Sequence, residues 1–143
     1  MRGFTLVESL VALSLMAGVL LSTAALLAWG ERRLAAGRRS SIAMAAANSV
    51  TESLQSEPYH HLYTALGGAS HGRLLQVDSR RDAAAARWSP LVGELPDGFV
   101  TVRVEALPGG DSFLASRGLR VTVQVGWRGG RRQREVRLCT VRQ

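Results

Sequence analysis

From Ser9 to Trp29 the chain runs for 21 residues without a charge, and no other feature restricts its fold as strongly. A helix of that length covers a hydrocarbon core of ~30 Å. The run contains no proline, and Trp29 closes it where an interfacial aromatic side chain belongs. A buried helix in a soluble domain is rarely apolar on every side over such a length. The block also removes part of the 46% apolar content from any soluble core. Roughly 110 residues follow Gly30, which is one small domain and no more.

Glu8 lies one turn inside an otherwise apolar helix expected to begin near Phe4. A carboxylate at bilayer depth costs about 2.5–3.5 kcal/mol even on lenient scales. The positive end of the helix dipole offsets part of that cost. A residue at the membrane interface could snorkel and avoid it. If the carboxylate is buried instead, it needs a partner of opposite charge.

The hexapeptide Gly3-Phe4-Thr5-Leu6-Val7-Glu8, followed by Ser9-Leu10-Val11-Ala12-Leu13, resembles the prepilin motif of type IV pilins and type II secretion pseudopilins. The resemblance implies cleavage between Gly3 and Phe4 by a prepilin peptidase and N-methylation of the new Phe4 amine. It implies that Glu8, fifth from the cut, pairs with the amino terminus of a neighbouring subunit. The implied partners are other pilins or pseudopilins and an inner-membrane assembly platform. The implied location is the inner (cytoplasmic) membrane, single-pass with the globular part outside, and then a filament. Residues 1–3 would form a leader that is short for the family.

Two rival readings of this end stay open. A secretory signal peptide would be cut after Ser22-Thr23-Ala24, although Glu8 interrupts its apolar region. A plain membrane anchor ignores the motif. Charge bias points the other way from the family: Arg2 stands before the span, and Arg32, Arg33, Arg38 and Arg39 stand beyond it.

The helix is expected to continue to about Ser56, with residues 4–29 as the apolar assembly helix and 30–57 as an amphipathic stem. Glu31 to Gln55 is rich in alanine, leucine and arginine. Leu34, Ile42, Ala46, Val50 and Leu54 form an apolar stripe, and Gly30 and Gly37 could bend the helix. Pro58 ends it. Residues 58–97 read as an irregular, variable connection, with a short strand at Arg73–Val77 and a helical turn at Asp82–Arg87.

Residues 98–143 read as antiparallel sheet. In Phe99–Leu107 and Leu119–Trp127, Val100, Val102, Val104, Leu119, Val121, Val123, Val125 and Trp127 share one face. Glu135–Val141 brings Val136 and Leu138 to the same side. Pro108-Gly109-Gly110-Asp111 and Gly129-Gly130 separate the strands. The predicted fold is α+β, a long N-terminal helix packed on a C-terminal β-meander, and that order again resembles pilins. The ending, Val-x-Val-x-Trp, Gly-Gly, Arg-x-Val-x-Leu, is similar to minor rather than major pilins. Cys139 is the single cysteine, so the disulfide loop frequent in the family is impossible.

No nucleophile-elbow or phosphate-loop pattern is present, and the sequence predicts no enzyme, cofactor or metal site. His60, His61 and His71 lack acidic or cysteine partners at ligand spacing. All 18 basic side chains are arginine, for a net charge of +7. The run Arg128-Gly129-Gly130-Arg131-Arg132-Gln133-Arg134 is the candidate nucleic-acid contact, expected as a flexible, exposed hairpin tip. Its plainer reading is a solvated turn, and it lacks its own aromatic residues for base stacking. Three function classes stand: a structural minor pilin or pseudopilin, a DNA-binding pilin of an uptake system, and an anchored or secreted protein outside any filament.

Overall fold

The computed structural model describes residues 5–58, 61–67, 72–107, 112–113, 116–130 and 132–142. Helix α1, Leu6–Ser56, is followed by the one-turn helix α2, Leu62–Ala65, and strand β1, Leu74–Asp78. Then come the one-turn helix α3, Ala83–Ala86, a 3-10 turn at Ser89–Val92, and strands β2, Phe99–Ala106, β3, Leu119–Gly129, and β4, Arg132–Arg142. Two compact units divide at Arg38/Arg39, inside α1.

In the first unit the large apolar side chains from Leu6 to Leu27 are all more than half exposed. Three hydroxyls inside the apolar run turn back onto the helix. Ser14 donates to the Val11 carbonyl at 2.8 Å, Ser22 to Val19 at 2.8 Å, and Thr23 to Val19 at 2.9 Å. Such back-bonding leaves no donor seeking water, which a nonpolar surrounding requires. The Arg33 guanidinium lies 4.6 Å from the centre of the Trp29 ring, one turn apart on the helix. The helix is long and apolar enough to span a membrane.

The second unit is built on the rest of α1. Ala43, Ala46, Ala47, Val50 and Leu54 are buried, at the spacing of a single helical face. Three alanines in that stripe let the helix backbone approach its neighbours closely. The expected stripe thus begins later than the sequence indicated: Ile42 is half-buried, and Leu34 is exposed.

The sheet is antiparallel in the order β1-β2-β3-β4. Its inner face carries rows of paired branched side chains. One runs Val77, Val102, Val123, Leu138, and the next runs Leu75, Val104, Val121, Thr140. Val100, Val102, Val104, Leu119, Val121, Val123, Val125 and Trp127 are buried in one core cluster with the α1 stripe. Each valine so buried contributes about 1.5–3 kcal/mol. Alternation alone places these residues correctly, because the side-chain period of a strand is two.

The connection from 58 to 97 is more ordered than its composition indicated. Its strand falls one residue later than expected, its helical turn lies within the expected bounds, and the strand pairs with β2 to give the sheet a fourth member. Leu62, Leu66, Val77, Ala85, Trp88, Val92 and Leu95 all enter the core. Apolar residues scattered singly between glycines and prolines carry no period, so their burial could not be read from spacing. Past the end of β1, Ser79 continues the ladder: its N–H donates to the Val100 carbonyl at 2.9 Å, and its hydroxyl accepts the Val100 N–H at 3.0 Å.

The last strand ties back to the end of the helix. The Arg142 Nη1 donates to the carbonyls of Leu54 and Glu57, both at 2.9 Å. These carbonyls belong to the unpaired final turn of α1, where a cation also meets the negative end of the helix dipole. Arg142→Ala should lower unfolding stability by about 2 kcal/mol, the scale of charged hydrogen bonds. Arg137→Ala, on the exposed outer face, should change it by less than about 0.5 kcal/mol. Denaturant unfolding of the detergent-solubilised protein, followed by fluorescence of buried Trp88 and Trp127, checks both.

Candidate functional site

Helix α1 starts on Thr5, whose Oγ1 accepts the Glu8 backbone N–H at 3.4 Å, a long bond. Thr5 is thus the N-cap and Glu8 the third helical residue, the spacing of a capping box. Sequence reading passed over this Thr-x-x-Glu signal because the cleavage motif occupies the same letters. An acidic residue at this position gains about 0.3–1 kcal/mol from the helix dipole. That is less than the ~2.5–3.5 kcal/mol cost of a carboxylate at bilayer depth. A favourable helix start therefore does not by itself offset burial in lipid. The Glu8 side chain is exposed, and among the described residues its carboxylate has no ion-pair partner. Gly3 and Phe4, the residues of the expected cut, lie outside the described residues.

The basic run near the C-terminus differs from its expected form. β3 extends through Arg128 to Gly129 and β4 begins at Arg132, so the connection holds only Gly130 and Arg131. Arg128, Arg132 and Arg134 stand in paired strands, opposite Gln133, Gly129 and Trp127 respectively. The expected hairpin is present, with its strands running further into the basic segment. Gly130 has a φ of 70°, the left-handed conformation that a two-residue turn needs and glycine adopts freely. Arg131 lies outside the described residues. Trp127 is buried, so its ring faces the core rather than a ligand. Arg134 lies across Gly129, where a Cβ would meet its side chain.

The structure adds two residues to this end of the sheet that sequence reading did not single out. Asp97 holds Arg128 through a contact of 3.0 Å between Oδ2 and Nε. Arg80 donates to the Asp97 carbonyl and lies 4.4 Å from the centre of the Phe99 ring. Phe99 in turn covers Gly126, its cross-strand partner, where any Cβ would collide with the ring. Asp97 has a φ of 50° and is the sole non-glycine residue with positive φ among those described. Asp tolerates this conformation better than most residues. The Pro-Asp-Gly sequence at 96–98 was a turn signal that could have drawn attention to it.

Cys139 is exposed on the outer face of β4, with the Thr122 hydroxyl 3.8 Å from its sulfur. His61 is exposed. His60 and His71 lie outside the described residues. No family model matches the chain, and no match was found among curated proteins or among solved structures.

Asp97 supports two predictions on stability. Asp97→Asn keeps a residue that accepts the left-handed conformation and loses an exposed ion pair, so it should cost less than about 1 kcal/mol. Asp97→Val forces a β-branched residue into that conformation and should cost about 1–3 kcal/mol. Thermal unfolding of the two variants beside the parent protein measures the difference.

Proposed function

We propose that this chain is a structural minor pilin or pseudopilin, cut between Gly3 and Phe4 and built into, or priming, a type IV pilus-like filament. The observation that carries the proposal is Glu8. It is the single acidic residue in the exposed apolar first half of the helix, directly behind a Gly-Phe-Thr-Leu-Val sequence. An uncompensated carboxylate there is costly, and a neighbouring subunit's amino terminus removes the cost. The α+β architecture agrees with this reading: one long helix is apolar all round in its first half and packs on an antiparallel sheet through its second.

In this reading the helix first anchors the protein in the inner membrane with the sheet domain outside the cytoplasm. A prepilin peptidase and an assembly platform then act on it. The hydroxyls of Ser14, Ser22 and Thr23 need no water, which suits this part of the helix to lipid or to a bundle of like helices. A DNA-binding pilin remains the second reading, carried by the exposed arginines Arg128, Arg132 and Arg134. It has weaker support, because Arg128 already holds Asp97 and Trp127 is turned into the core.

Intact mass and N-terminal sequencing of protein from native membranes should show a mature chain beginning at N-methyl-Phe4. An uncut Met1, or a terminus at Ala25, would overturn the proposal. Glu8→Ala should still insert and still be cut, but its recovery with sheared filaments or partner pilins should fall by about tenfold or more. Equal recovery of mutant and parent would refute the charge-pairing role.

A further inference from the structure

At the hairpin end of the sheet, residues 96–98 cross beside β3, held by the Arg128 N–H donating to the Pro96 carbonyl at 2.8 Å. The crossing leaves an open cleft of about 550 Å³ lined by Arg80, Asp97, Phe99, Arg128, Arg132 and Gln133. Its three guanidinium groups come from Arg80 after β1 and from Arg128 and Arg132 on the two strands of the hairpin. Arg80 is held by the Phe99 ring and the Asp97 carbonyl, and Arg128 by the Asp97 carboxylate. Arg132 makes no hydrogen bond or ion pair among the described residues. Three cations thus face one carboxylate, which is already engaged. Two of the three are held in place before any ligand arrives, and that lowers the entropy lost on binding.

The surrounding surface indicates what kind of anion fits. On the outer face of the sheet, the arginines are offset by acids. Glu105 pairs with Arg103 and stands 3.7 Å from Arg120, and Glu135 stands 3.2 Å from Arg137. A nucleic-acid backbone needs successive cations along a track to release its counterions. Here glutamates interrupt the arginines of the sheet beyond the cleft. A planar guanidinium fork matches a single carboxylate well. We propose that this cleft binds the carboxylate side chains of an acidic segment in a partner protein. The chain's own net charge of +7 makes an acidic partner the complementary one and disfavours a second copy. The proposal does not depend on cleavage or on filament assembly.

The test uses the full chain in uncharged detergent micelles with a fluorescently labelled hexaglutamate peptide, read by anisotropy. Inorganic phosphate and a short DNA duplex serve as competitors. Arg80→Ala combined with Arg132→Ala should weaken peptide binding by about tenfold or more. Arg120→Ala combined with Arg137→Ala removes the same net charge from the outer face and should weaken it by less than about twofold. Arg132→Gln guards against misfolding, because that side chain is exposed and unpartnered among the described residues. Alone it should weaken binding by about threefold with unchanged thermal unfolding. Equal losses in the two double variants would mean diffuse electrostatics and would overturn the proposal. So would unaltered binding by Arg132→Gln, or no binding at all. DNA or phosphate displacing the peptide at lower concentrations of charge would also overturn it, in favour of a phosphate site.

Discussion

The contact between the Ala43–Leu54 stripe of α1 and the valine face of the sheet is what the second unit depends on. Small residues on the helix and branched residues on the strands pack in one core cluster. Neither surface could stay exposed at low cost. Every other part of the domain is arranged around this contact. The 62–95 segment adds Leu62, Trp88 and Leu95 to it, and β4 contributes Val136 and Leu138 at its edge. Arg142 then joins the last strand to the last turn of the helix.

Helix α1 serves two surroundings with two kinds of surface. Its first half is apolar on all sides and folds three of its hydroxyls inward. Its second half gathers its buried apolar residues in one stripe and places arginine, serine and glutamate elsewhere. Propensity alone makes both halves helical, but burial distinguishes them. The change falls in the Gly30–Arg39 region, where Trp29 and Arg33 pair and arginines become frequent. Glu8 is the exception in the first half, and the mismatch between what its position provides and what burial would cost is the strongest functional pointer in the chain.

The hairpin end of the sheet shows how charge is localised by folding. Sequence counting gives a strongly basic chain, but most outer-face arginines meet a glutamate across or along the strands. Near Asp97 three arginines face one carboxylate in a defined cleft. Asp97 organises that cleft twice, through its carbonyl to Arg80 and its carboxylate to Arg128. Its left-handed backbone is what points the two groups to different arginines.

By itself the sequence determined the elements with a strong period. The uncharged run from Ser9 to Trp29, the stripe at Ala46, Val50 and Leu54, and the alternation in β2 and β3 were all legible, because period 3.6 and period 2 survive in the letters. It also marked Glu8, since a lone charge in an apolar run needs no fold to stand out. Tertiary structure alone decided which residues meet across long stretches of chain. Arg142 reaches Leu54, Arg80 reaches Asp97, and β1 joins β2 as the edge of the sheet, none of which a local pattern encodes. It decided as well that Leu34 lies outside the stripe and that Arg128 and Arg132 belong to strands. Gly129-Gly130 marked the hairpin, but of the two only Gly130 has positive φ, and strand pairing continues to Gly129 and Arg132. Local patterns report what one element buries; what two distant elements share depends on how they pack.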